Sequence, residues 1–85
     1  MISVVGLPYN EFNKVKGDIF VDTILELRAE PENKFDRNAI AVYFRDYKIG
    51  HISKKDQSLV NSSFCIVKRM HKKHLDVAMV YIKDE

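Results

Sequence analysis

Eighty-five residues are enough for one domain with one small core, since a chain of this size buries only about 60–65% of its unfolded surface. A composition of 46% hydrophobic and 31% charged residues excludes a disordered or fibrous chain; no apolar run approaches the roughly 20 residues of a membrane span, and no signal-peptide pattern opens the chain. The net charge of +2 hides an asymmetry, with five Lys/Arg against seven Asp/Glu in residues 1–44 and nine against five in residues 45–85, which reads either as one positive face for a phosphate-bearing partner or as a solvated surface.

In chain order, "ISVVG" is a short β-branched strand stopped by Gly6. Residues 18–28, "DIFVDTILELR", read as one long strand with Asp22, Glu26 and Arg28 among apolar residues. "NAIAVYF" and "KIGHI" are separated by the three residues "RDY", which predicts a β-hairpin. Residues 53–64, "SKKDQSLVNSSF", predict a helix, with Ser53 at the N-cap and Asp56 closing a variant capping box. That helix would place Lys54 and Lys55 in its first turn, against the macrodipole, where they either form an anion site with the free N–H groups or extend into water.

Further on, "FCIVKRM" and "LDVAMVYI" flank "HKKH" as a second hairpin with a basic tip. His71 and His74 offer two metal nitrogens, but no Cys or carboxylate completes a site at a usual spacing and two lysines oppose a cation, so no metal site is expected. Cys65 lies in an apolar strand pattern and reads as a small buried hydrophobe; as a lone cysteine it favours a reducing, cytoplasmic setting. With no repeat and no linker, residues 1–85 read as one unit. Five to six short strands with one or two short helices predict a mainly β fold, a small OB-like barrel.

"VVGLPY", "EPENKFDRNAIAVY" and "KIGHISKK", taken together, resemble the signature of the HIRAN domain over about residues 2–62. The middle motif is the specific part: an acidic residue, Pro, Asn, an aromatic-Asp pair, then Asn-Ala-Ile. The resemblance implies a barrel related to the OB-fold that binds single-stranded DNA and captures a free 3′ end. By position it assigns Tyr9 and Phe35 to terminal bases, Asn33 and Asp36 to the 3′-terminal nucleotide, and His51 and Lys54 to the DNA backbone; Lys55, the second lysine of the pair, is a further phosphate candidate by its charge alone. Pro8 stands where a eukaryotic relative has arginine, so one phosphate-binding charge is absent.

Each residue also has a structural alternative. Phe35, alone among polar neighbours, either stacks on a base or folds back over the barrel end. Asp36 either accepts a hydrogen bond from a 3′-hydroxyl or, like Asn38, bonds nearby backbone N–H groups. Tyr9 suits a base or a core lid, and His51 at a strand end is a phosphate donor or a plain surface residue.

No phosphate loop, nucleophile elbow or paired-carboxylate motif occurs, so neither catalysis nor a cofactor is expected. The reading is a non-catalytic module for DNA ends, cytoplasmic or nucleoid-associated, in the service of a DNA-processing protein and not of a membrane. The alternative is a protein-interaction domain on the same barrel.

Overall fold

The computed structural model describes residues 1–82. Its six strands are β1 (Ile2–Val5), β2 (Ile24–Ala29), β3 (Ile40–Phe44), β4 (Tyr47–Ile52), β5 (Phe64–Met70) and β6 (Leu75–Val80). They close into an antiparallel barrel in the order β1-β4-β3-β2-β5-β6. Closure runs through β1, whose Val4 pairs with Ile52 of β4 on one side and Leu75 of β6 on the other. A closed sheet has no free edge, which lets so short a chain satisfy its backbone polar groups internally.

Alternation of side chains places the core. Ile2 and Val4, Leu25 and Leu27, Cys65 and Val67, and Leu75 and Val77 point inward and are buried, while on β4 Ile49 and Ile52 are both buried although three apart, because the register to β3 skips Ile49 at a bulge. Outward-facing residues on the same strands are mixed; Arg28, for example, lies between Glu26 (2.9 Å) and the face of Tyr43 (3.9 Å to the centroid). The β3 alternation breaks where Ala41 and Val42 are both buried, next to a bulge between Val42 and Tyr43. Cys65 is fully buried, and desolvation pushes its thiol up to about 12. No helix among the described residues is long and apolar enough to cross a membrane.

Three local expectations are corrected. The run 18–28 is a strand only from Ile24. Before it the chain turns, with Asp22 in the left-handed region (φ 76) and Thr23 Oγ1 accepting the Phe20 N–H at 2.9 Å; the local bonding of Asp and Thr overrides the apolar pattern. The β3–β4 hairpin turns through two residues rather than three, because Arg45 adopts φ 55 and Tyr47 already pairs with Phe44.

The predicted helix 53–64 is only a 3₁₀ turn, Lys54–Leu59, and the capping box does not form. Instead Asp56 is buried and accepts the Ser3 N–H of β1 at 3.0 Å, while Ser53 N–H donates to Ser3 O at 2.8 Å. These two bonds tie the turn to the barrel wall. The following Asn61, Ser62 and Ser63 are poor helix formers, and Ser62 Oγ donates to Val80 O on β6. A short helix that the strand-dominated pattern did not predict, α1 (Phe12–Val15), lies between 3₁₀ turns Leu7–Tyr9 and Lys16–Asp18. Leu7, Val15 and Ile19 of this stretch cap the barrel.

Candidate nucleic-acid interface

The β2–β3 loop is held by its own side chains. Glu30 N–H donates to Ala39 O at 2.9 Å and closes the loop's base. Asn33 Oδ1 accepts the N–H groups of Phe35 (2.9 Å) and Asp36 (3.1 Å), and Asp36 Oδ1 accepts that of Asn38 (2.9 Å). Two successive turns of this kind fix the main chain on either side of Phe35, whose own N–H is one of the bonded groups. The Phe35 side chain is 97% exposed. It does not fold back over the barrel end, so the core alternative for this side chain is overturned.

Beside the loop lies a shallow cleft of about 280 Å³, lined by Val5, Asn33, Phe35, Asp36, Ala39, His51, Ile52, Lys54 and Gln57. Four sequence-predicted residues besides Phe35 meet there: Asn33, Asp36, His51 and Lys54. Topology brings them together, since Val5 of β1 pairs with His51 of β4, and His51 pairs with Ala41 of β3 just beyond the loop. A larger depression of about 500 Å³, lined in part by Arg37, Asn38 and Ser58, adjoins it, with Ala39, Lys54 and Gln57 common to both. Lys54 thus stands on the divide between two neighbouring concavities.

Asp36 makes the structural turn bond to Asn38 and also lines the cleft. Its second oxygen accepts from Gln57 Nε2 at 2.7 Å, and this bond, followed by that from Asn38, holds its carboxyl below the usual range. Two carboxylate oxygens have about four acceptor positions, so two remain for a ligand. His51 is committed in part, its Nε2 lying 2.7 Å from Glu30 Oε1. Asn33 is committed more heavily, with Oδ1 in the loop and Nδ2 on Glu30 at 3.2 Å.

Tyr9 and Lys55 do not line the cleft. Tyr9 ends the 3₁₀ turn that follows Gly6 (φ 77) and is 90% exposed, so it does not serve as a core lid. Lys55 instead reaches Asp56 at 3.2 Å.

Sequence reasoning missed Glu30, Lys48 and Gln57. Glu30 sits at the start of the specific motif but carried no signal of its own role, whereas Lys48 and Gln57 are joined to the loop only by tertiary contact. Glu30 is the hub of the loop's base. Partial burial alone would raise its pKa, but hydrogen bonds from Lys48 Nζ (2.6 Å), His51 and Asn33 outweigh that and bring it from 4.5 to about 2. A depressed carboxyl pKa contributes stability that is present above the unfolded value and lost as pH falls through the folded one. Glu30→Gln should therefore lower stability by about 1.5 kcal/mol at neutral pH and flatten the decline of melting temperature with acid between pH 4.5 and about 2. Parallel acid limbs for the two proteins would mean that Glu30 titrates normally.

The "HKKH" run is the basic hairpin tip expected between two strands, but its histidines are not without a carboxylate. It forms the β5–β6 turn, and a carboxylate does complete the histidine pair: Asp76 lies 2.8 Å from His71 Nε2 and 3.5 Å from His74 Nε2. The tip leaves the barrel next to the cleft, since Leu75 pairs with Val4 and the adjacent Val5 lines it.

Compared with known families, the chain matches the model described as the HIRAN domain over residues 2–77, which extends past the quoted motifs through β5 and into β6. No curated protein and no solved structure matches it.

Proposed function

We propose, from the premise that this chain belongs to the HIRAN domain family, a family of nucleic-acid-binding modules, that it binds single-stranded DNA without catalysis and reads the free 3′-hydroxyl end. The observation that supports this most is Phe35, an almost fully exposed aromatic on a loop locked by Asn33 and Asp36 at the rim of a cleft. An aromatic face fixed in water at a cleft rim is a surface on which a base can stack, whatever its sequence.

In this reading the terminal base stacks on Phe35 and the 3′-hydroxyl donates to Asp36, whose ionised state is secured by Gln57 and Asn38. Lys54, exposed and facing both concavities, neutralises the terminal phosphate. His51, held at Nε2 by Glu30, forms the cleft wall beside Val5. Arg37 and the adjoining depression receive the preceding nucleotide. Tyr9 adds a second stacking face from the β1 side, and Lys55 a more distant charge. The loss of the family arginine at Pro8 weakens binding without removing the elements that read the terminus. A cytoplasmic, nucleoid-associated role beside a DNA-processing protein follows from such a substrate.

The test compares three short strands bearing a 3′-hydroxyl, a 3′-phosphate or a 5′-phosphate. A 3′-phosphate sets negative charge against Asp36, so it should weaken binding by about tenfold, or 1.4 kcal/mol, whereas a 5′-phosphate should change little. Asp36→Asn keeps an acceptor and removes the repulsion, so it should regain part of the affinity for the 3′-phosphorylated strand. Equal binding of 3′-hydroxyl and 3′-phosphate strands would reduce Asp36 to a turn residue. No binding of any strand would favour the protein-interaction alternative.

A further inference from the structure

We propose that the β5–β6 hairpin tip is a transition-metal site in which His71, His74 and Asp76 bind one imidazole-preferring divalent cation, of the Zn²⁺ class. Its ligand atoms lie within 4.8 Å of one another. Both imidazoles turn Nε2 toward the same carboxylate, His71 to Oδ2 at 2.8 Å and His74 to Oδ1 at 3.5 Å. Bonds of about 2.0–2.1 Å at a tetrahedral angle separate neighbouring ligand atoms by roughly 3.3 Å, a spacing that these two distances bracket.

The backbone supports the arrangement. His71 N–H donates to His74 O at 3.0 Å and closes the turn, while Asp76 is anchored in the sheet opposite Arg69 and Ser3. The two rings are stacked, with centroids 4.1 Å apart and 13° between planes. To bind one ion in the plane of both imidazoles, at least one ring must turn out of this stack, which the partly exposed side chains have room to do. Three protein ligands leave one tetrahedral position for water or an external ligand.

Ligand chemistry selects the ion. Two imidazoles favour zinc, copper or nickel over magnesium or calcium, which require mainly oxygen ligands. The chain's one cysteine does not compete, because it is fully buried in the barrel with its thiol protonated. Lys72 and Lys73 at the turn are exposed, so their repulsion is reduced by water and salt and lowers affinity without blocking the site. The site does not depend on DNA binding.

The experiment is a titration of the metal-free protein with Zn²⁺, read by calorimetry and by amide chemical shifts, with Mg²⁺ in parallel. One equivalent of Zn²⁺ should bind, shift the amides of residues 70–76 and raise the melting temperature, with no response to Mg²⁺. Loss of a supporting group around a metal ligand costs about 10–100-fold in affinity, so His74→Ala and Asp76→Asn, each removing a ligand, should weaken binding by at least about tenfold. Circular dichroism establishes that both variants fold; if either does not, the paired variant His71→Gln, at the exposed rim, takes its place. Unchanged Zn²⁺ affinity in the folded variants, shifts confined to the Glu30 and His51 region, or an equal response to Mg²⁺ would each overturn the site.

Discussion

Phe35→Ala is expected to weaken binding to a 3′-hydroxyl single strand by about 1–3 kcal/mol, the range for one base stacked on an aromatic, or roughly 5–150-fold in affinity. Stability should hardly move. The ring is 97% exposed, so its removal from the folded state forfeits almost no burial, and the loop around it is held by hydrogen bonds from main-chain N–H groups to Asn33 and Asp36 that alanine leaves in place. Binding and melting temperature together make the test two-sided. Unchanged affinity would remove Phe35 from the interface; a large fall in melting temperature would mean that the ring packs in solution. Phe35→Tyr should retain the binding, because the π face is kept.

How far this interface could be read from sequence depended on whether its contacts are local. The turns around Phe35 were legible because the Asn33 and Asp36 side chains bond backbone N–H groups two or three residues away, and such residues announce that chemistry by type and spacing, whereas Asn38, read the same way, enters through its main-chain N–H. The strands β5 and β6 were legible for a similar reason, since their inward Cys65, Val67, Leu75 and Val77 alternate with outward residues. Glu30 was legible as part of a motif but not as the acceptor for Lys48, 18 residues away, and His51, 21 away. Asp56 misled, because its spacing from Ser53 suits a capping box while its real donor, the Ser3 N–H, is 53 residues distant. The same blindness hid Asp76 from the histidine pair: the spacing crosses a strand boundary, and only the hairpin register turns the three side chains toward one point.

Gly50→Ala should have the largest effect on stability, on the order of 3 kcal/mol, at the upper end for overpacking. Its φ lies outside the left-handed region, so the cost is not one of forbidden backbone conformation. A Cβ at this position would collide with the carbonyl oxygen of Val5 and press on Leu7 Cδ2 and Val4 Cγ1, both 3.3 Å away. The oxygen belongs to the backbone of β1, which is held on its other side by β6, so relief requires that β1 and β4 move apart. For a domain of this size each kcal/mol shifts the melting temperature by about 4–8 °C, which gives a fall of roughly 12–24 °C. The same displacement bears on the interface, because the β1–β4 seam carries Val5 and His51, two walls of the cleft. Any Gly50→Ala protein that still folds at low temperature should therefore bind DNA more weakly than the native chain, although no group proposed to touch DNA has changed. Native-like stability would mean that β1 and β4 separate freely and that the seam does not fix the cleft.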